Sequence, residues 1–197
     1  SCKWDQDFNV VDLELGRNFF ISRFLTLRPH AGFKTGWLLD KGVFTIVPNP
    51  VQDGTNAANK ISAINSTRSQ HLWGLGIRWG MDTGWHVTKN WSFYADFAFT
   101  TLWSDFHIKN TDYVTEAVTG KTNTLNTKET LQTVMPVIEA GLGLAYITWW
   151  DQNRYRFQFQ GGWEEQVWLD YNHFMYLGQA GGSFTVQGLT LKGMLTF

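Results

Sequence analysis

Apolar and polar residues alternate along most of this chain with the period of two that is typical of β-strands. Helical periodicity is almost absent. Seven segments show the alternation, at about 8–16, 26–38, 71–82, 91–105, 130–147, 154–168 and 182–197. In the last of them Leu191 and Leu195 share one face, whereas Thr190 and Lys192 share the other. The pattern therefore predicts an all-β chain with seven long strands.

The lengths of these segments and of their connections indicate a particular class of sheet. Several segments reach a dozen residues, whereas soluble strands usually have five or six, and about 9–11 tilted residues suffice to cross a membrane. Short junctions at 20–24, 85–90 and 149–153 alternate with long polar connections at 40–70, 106–128 and 169–182. Short turns at one rim and long loops at the other are typical of outer-membrane barrels. We therefore predict an antiparallel transmembrane β-barrel.

Composition supports this fold and removes two other classes of protein. Aromatic residues make up 16% of the chain and charged residues 17%, while the mean hydropathy is −0.24. No run approaches the 18 apolar residues of a membrane helix, which excludes a helical membrane protein. The formal charge of −1 comes without a basic or acidic block, so we expect no nucleic-acid partner.

The strand number and the last residue bear on how much of a barrel is present. Bacterial single-chain barrels have even numbers of strands, so seven strands suggest the carboxy-terminal part of a longer, even-stranded barrel. Residues 1–197 are then one transmembrane domain. The chain finishes on Phe197, the kind of terminal residue that the outer-membrane assembly machinery recognises. We expect Phe197 to be an assembly signal, that machinery to be a partner, and the bacterial outer membrane to be the location.

Two stretches carry a family resemblance. Leu-Gly-Arg-Asn-Phe-Phe at 15–20 is followed by Leu-Arg-Pro at 27–29, and Gly-Trp-Glu occurs at 162–164. With these motifs the chain resembles the Legionella-type major outer membrane protein-like family of pore-forming barrels, over essentially all 197 residues but only the later part of a family member. The resemblance implies a porin-like protein, and it supplies neither catalytic residues nor a cofactor.

Apart from Asp105 and Glu165, the charged residues within the predicted strands fall on one parity. Such a side chain facing lipid at mid-membrane would cost about 2–4 kcal/mol, so these residues should face the interior. The predicted pore-lining residues are Asp12, Glu14, Arg28, His30, Lys34, Arg78, Asp82, Asp96, Glu139, Arg156, Glu164 and Lys192. Two arrangements fit this pattern: a water-filled pore with opposed acidic and basic columns, or an internal ion-pair network that plugs a narrow barrel.

Motifs for catalysis or metal binding are weak. Glu164 and Glu165 are neighbours in a strand and point to opposite faces, so they do not form an acid–base pair. Asp105 and His107 share a face and have the chemistry of metal ligands, but a solvated loop edge is the favoured interpretation. We therefore predict no enzyme activity, no metal and no cofactor.

The leading functional hypothesis is passive diffusion of small polar solutes or ions through an outer-membrane pore. Two alternatives use the same scaffold: a structural or adhesive barrel that acts through its long loops, and an outer-membrane hydrolase. The expected surroundings are outer-membrane lipid and lipopolysaccharide, and assembly into a homo-oligomer is left open.

Overall fold

The computed structural model describes residues 1–47, 61–116, 120–150, 154–175 and 180–196. These residues form eight β-strands: β1 (Cys2–Gly16), β2 (Phe19–Ser22), β3 (Leu25–Ile46), β4 (Ile61–His86), β5 (Trp91–Glu116), β6 (Thr122–Trp150), β7 (Tyr155–Met175) and β8 (Ala180–Thr196). No helix in these parts of the chain is long and apolar enough to cross a membrane.

All strands belong to one antiparallel sheet. The order is β1-β3-β4-β5-β6-β7-β8, and the short β2 pairs with β3 beside this path. The sheet curls into a half-barrel with a concave inner face and a convex outer face. The all-β fold and the seven long strands of the prediction are confirmed, while the larger even-stranded barrel stays a prediction. Phe197 lies outside the described residues.

The two rims of the half-barrel differ. The turn rim carries residues 17–24 and 87–90, the end of β6 at Trp150 and the start of β7 at Tyr155, while the opposite loop rim carries the other ends of β3 to β8. At the turn rim, a short strand was missed: β2 occupies a stretch predicted as a junction, with Phe19 opposite Leu27. At this rim β2 and the first residues of β3 therefore form a short hairpin.

The predicted long connections were largely wrong, because much of each is strand. Thr45 pairs with Asn65, and Val114 pairs with Asn123, well inside the stretches expected to be loops. β6 reaches 29 residues. An alternation of apolar and polar residues reveals a strand only where one face of the strand is apolar. Thr-rich segments still favour the β-conformation where both faces are polar. Backbone pairing therefore continues beyond the point where the sequence pattern fades.

Glycine permits the strong curvature at two inner-face positions. A Cβ built on Gly32 would overlap the backbone carbonyl oxygen of Leu13, and one on Gly76 would overlap that of Thr101. The neighbouring strand lies too close for any side chain at either position. Glycine within a strand commonly marks such a close approach or a bend.

The outer face carries the apolar residues of each strand. The apolar side chains of this parity are exposed or half-exposed there: Phe93, Phe97, Phe99, Leu142, Leu144, Phe157, Phe159, Leu191 and Leu195. Near the turn rim, Trp150 stacks on Tyr155 at 6.2 Å between ring centroids. Trp149 has the parity of the inner face, and its ring lies against the guanidinium group of Arg156. The convex surface is thus suited to hydrocarbon.

Candidate functional site

The inner face brings the twelve predicted charged residues together. Eleven of them line one cavity of about 750 Å³ on the part of the concave face that is next to the turn rim. The twelfth, Lys34, is fully buried and forms ion pairs with two carboxylates of the cavity wall. Strand parity places all these side chains on one face, and the curl of the sheet then makes them converge. Their role as a pore lining stays a prediction.

Arg28 is the first centre of an ion-pair network. Its Nη1 lies 2.9 Å from Oε1 of Glu14 on β1 and 2.7 Å from Oδ2 of Asp82 on β4. His30, two residues along the same strand, is buried with its Nδ1 3.4 Å from Asp82 Oδ1. Arg28 and Asp82 are direct register partners, so the β3–β4 pairing itself fixes this contact.

Glu139 on β6 is the second centre. Its Oε1 lies 2.7 Å from Nζ of Lys34, and its Oε2 lies 2.8 Å from Nη2 of Arg78. The Arg78 side chain reaches across β5, where Ala98 and Thr100 occupy the facing inner positions. Small side chains on β5 leave room for this crossing. Ion pairs therefore link β4 to β6 across β5, and β3 to β6 across both β4 and β5.

Four cavity charges lie outside this network. Lys192 on β8 pairs with Glu164 on β7 at 2.6 Å. Asp96 is the register partner of Asp82, and among the described residues it forms no ion pair. Arg156 donates from Nη2 to Oε1 of Gln158 at 2.6 Å and lies over an aromatic ring at the turn rim. Among the described residues, Asp96 and Arg156 are the cavity charges without an ion-pair partner.

Positive and negative charges alternate around the wall. The basic residues of β3 have acidic neighbours on both sides, Asp12 and Glu14 on β1 and Asp82 on β4. Buried charges require such pairing, because the desolvation of an isolated ion costs several kcal/mol. The geometry is that of an interleaved network, and it does not separate the acidic and basic side chains into opposed columns.

An apolar cluster that sequence reasoning missed fills the inner face nearer the loop rim. Its buried members are Leu38, Leu72, Leu102, Phe106, Ile108, Met135, Val137, Trp168 and Tyr171. Trp168 meets Phe8 edge to face at 5.4 Å between ring centroids, which joins β7 to β1 across the interior. A signal was present: along β3 and β4 the inner parity changes from Lys34 and Arg78 to Leu38 and Leu72.

The end of β7 bends inward above this cluster. Asp170 has φ of 55°, the only positive φ at a non-glycine residue in the described chain, and the β7–β8 register shifts between Trp168 and Asn172. Beyond this point the Tyr171 hydroxyl donates to Asp40 on β3. We call residues 170–173 the inward segment.

Gln70 on β4 holds the inward segment from below. Its Nε2 donates to the Tyr171 carbonyl oxygen at 2.9 Å, and its Oε1 accepts from the backbone N–H of His173 at 3.0 Å. The His173 ring meets Phe106 edge to face at 4.6 Å between centroids. The inward segment and the apolar cluster thus pack together on the loop side of the cavity.

One comparison with known proteins decides the family. A family model described as Legionella pneumophila major outer membrane protein precursor matches residues 1–197. The chain belongs to this family. No curated protein and no solved structure matches the chain significantly.

Membership in the Legionella major outer membrane protein family locates the protein in the bacterial outer membrane. The motifs at 15–20, 27–29 and 162–164, from which the resemblance was inferred, lie on β1–β3 and β7. The convex apolar face is suited to contact with outer-membrane lipid, and the charged face lies on the concave side of the half-barrel. The candidate site is therefore interior.

The weak metal candidate of the sequence lies on the opposite, outer face. Nδ1 of His107 is 3.9 Å from Oδ1 of Asp105. Within the described ranges no group of three or more His, Cys, Asp or Glu side chains is placed to hold a metal ion. His107 is the direct register partner of His71, a histidine that the sequence alone left isolated.

Proposed function

We propose that this outer-membrane protein is a porin-like pore for small polar solutes or ions, without catalytic activity. The observation that carries the proposal is the charged cavity of about 750 Å³ behind an outer face of apolar side chains. A charged interior inside an apolar wall is the arrangement of channel-forming outer-membrane barrels. A solid packed interior would bury the same charges without a cavity of this size.

The network gives the pore wall a fixed geometry and little net charge. Arg28, Arg78 and Lys34 are each held by two carboxylates, so their heads cannot swing freely through the cavity. A polar, nearly neutral wall interacts with small solutes of either sign through hydrogen bonds. We therefore propose weak charge selectivity, set by the two uncompensated side chains Asp96 and Arg156.

The apolar cluster gives this proposal its second element. Passage to the loop rim requires that the inward segment and the cluster move aside, so we propose that the described conformation is the closed one. Hydrophobic constrictions are a known way to gate a channel, because they exclude water when narrow. The Asp170 bulge is the natural hinge, since the pairing of β7 with β8 is already shifted there.

The same cluster favours a second candidate function. Nine buried apolar residues joined across the interior are what a permanently filled, structural barrel requires. Such a protein would act through its loop rim and would conduct nothing. The two candidates therefore differ in one measurable property.

Conductance across a planar lipid bilayer tests the proposal. Purified, folded protein should give discrete current steps, and an Asp96→Arg variant should move the reversal potential in a salt gradient toward anion preference. Lys89→Glu, which changes the charge of an exposed side chain at the turn rim, serves as the control. A folded protein that stays silent under all voltages would favour the structural barrel.

A further inference from the structure

The outer face carries one compact group of basic side chains near the loop rim. His71 on β4 is the register partner of His107 on β5, and Lys109 on β5 is the register partner of Lys128 on β6. All four side chains are exposed, and the two imidazole rings lie 6.3 Å apart between centroids. We call these four residues the basic patch.

The lysines of the basic patch are not neutralised by the protein. Like charges directly opposite each other in a sheet are destabilising, and in the described part of the chain neither Lys109 nor Lys128 lies within ion-pair distance of a carboxylate. Asp105 approaches only His107, at 3.9 Å. No contact among the described residues offsets the repulsion between the two lysines, which indicates an external anion.

The position of the basic patch relative to the aromatic residues identifies the surroundings. Trp73 lies two residues below His71 on the outer face of β4, and its register partner Asp105 lies four residues below Lys109 on β5. At about 3.3 Å per residue and a tilt of about 40°, the patch begins about 5 Å and ends about 10 Å above the level of Trp73. The headgroup layer of a bilayer is roughly 5–8 Å thick on each side. With an interfacial tryptophan at the lower edge of this layer, the histidines lie within it and the lysines lie at its outer boundary.

We propose that the basic patch binds phosphate groups of outer-leaflet lipid headgroups, which in this membrane means lipopolysaccharide. The lysines supply fixed positive charge, and the histidine ring nitrogens add hydrogen-bond donors on the membrane side of them. Two neighbouring lysines repel a metal cation, which argues against a metal site at the histidine pair. The proposal rests on the location in the outer membrane and is independent of whether the barrel conducts.

Binding to lipid A in detergent micelles tests this assignment. The folded protein is titrated with bis-phosphorylated lipid A and with the same lipid after removal of both phosphates, and bound lipid is counted by native mass spectrometry. The phosphorylated form should bind more tightly to the natural protein. In the variant Lys109→Ala with Lys128→Ala, affinity for that form should fall roughly thirtyfold. Each lysine near an anionic surface contributes roughly a fivefold gain in affinity, and the two effects multiply.

The matched control is Lys89→Ala, which removes an exposed lysine at the turn rim, and it should bind phosphorylated lipid A as the natural protein does. Equal excess of inorganic phosphate should not displace the lipid, because the apolar chains also contact the outer face. Equal affinity for the two lipid forms overturns the proposal, as does an unchanged affinity in the double variant. Tight Zn²⁺ binding that His71→Ala abolishes would also overturn it, by assigning the histidines to a metal.

Discussion

The inner face divides into two halves that are built from the same strands with opposite chemistry. Next to the turn rim, Arg28, Arg78 and Glu139 surround a cavity. Nearer the loop rim, Leu72 and Phe106 on the same parity are fully buried in a packed cluster. The difference teaches that strand parity decides only which face a residue occupies. Whether a cavity or a packed core forms on that face depends on whether the side chains there are charged or apolar.

Physical chemistry accounts for both halves. Charged groups retain water and must be paired, so they hold a wall apart and leave a cavity beside them. Apolar side chains gain about 25 cal/mol for each Å² removed from water, so they close over one another. Lys34 lies at the boundary: it is fully buried, yet it keeps two carboxylate partners.

Emptying the apolar half should have the largest effect on conductance. Trp168→Ala with Phe106→Ala removes two fully buried rings that lie between the cavity and the loop rim. We expect open-channel current to rise several-fold, at a stability cost of about 3–5 kcal/mol for each ring. Single-channel recording measures the current, and heat-dependent mobility on a gel reports folding.

Trp163→Ala is the control for this pair, since Trp163 lies on the same strand and faces outward. It should leave the current unchanged. If the double variant folds and its current equals that of the natural protein, the apolar cluster does not close the passage.

Breaking the charged half should cost stability more than it changes current. Glu139→Gln removes the carboxylate shared by Lys34 and Arg78. Loss of one partner from a buried ion pair typically costs about 3–5 kcal/mol. Denaturant unfolding in detergent, followed by tryptophan fluorescence, should show this loss.

Glu164→Gln gives the matched comparison, because its partner Lys192 is half exposed. Exposed pairs contribute about 0–1 kcal/mol, so this variant should unfold close to the natural protein. Equal losses in the two variants would mean that the central network is no more buried in solution than the pair at the sheet edge.

The contrast between the halves also marks how far the sequence could be interpreted. The inner position of all twelve charged residues followed from parity, since an outward charge would face hydrocarbon. The length of β6 did not follow, because its outer part, from Thr122, is polar on both faces and has no alternation. Pairing across the barrel was equally hidden: Trp168 meets Phe8 only because the sheet curls.

Partner choice in the charged site illustrates the same limit. Arg78 has Thr100 as its register partner, yet it binds Glu139 one strand further on. This contact depends on curvature and on small side chains along β5, neither of which the periodicity of a single strand reveals. Residues on one face were therefore predictable, whereas their contacts were not.

Ion preference should follow the charges that the network leaves uncompensated. Asp96→Asn should shift the reversal potential in a salt gradient toward anions, and Arg156→Gln should shift it toward cations. Arg28→Gln should shift it less, because Arg28 lies between two carboxylates whose own pairing then rearranges. The measurement belongs at low salt, since at 1 M the Debye length is about 3 Å and the shifts should shrink. Equal shifts for all three variants would show that pairing does not screen Arg28.

The smallest expected effect concerns the contact that holds the inward segment. Tyr171→Phe keeps the ring in the apolar cluster and removes only the hydroxyl that donates to Asp40. A hydrogen bond of this kind contributes about 1 kcal/mol, and to a charged acceptor about 1.5–3 kcal/mol. The free energy of unfolding should therefore fall by at most about 3 kcal/mol, and the closed conformation should lose part of its advantage over the open one. Single-channel records should show longer openings at unchanged current amplitude.

The contacts of the Gln70 side chain with the backbone of the inward segment remain in this variant, so the inward segment is held less tightly but is not released. Asp40→Asn provides the partner measurement: openings of the same length in both single variants and in the double variant would identify the hydroxyl–carboxylate pair as one unit. Openings that stay unchanged in Tyr171→Phe would mean that Gln70 and the aromatic packing alone hold the segment across the interior.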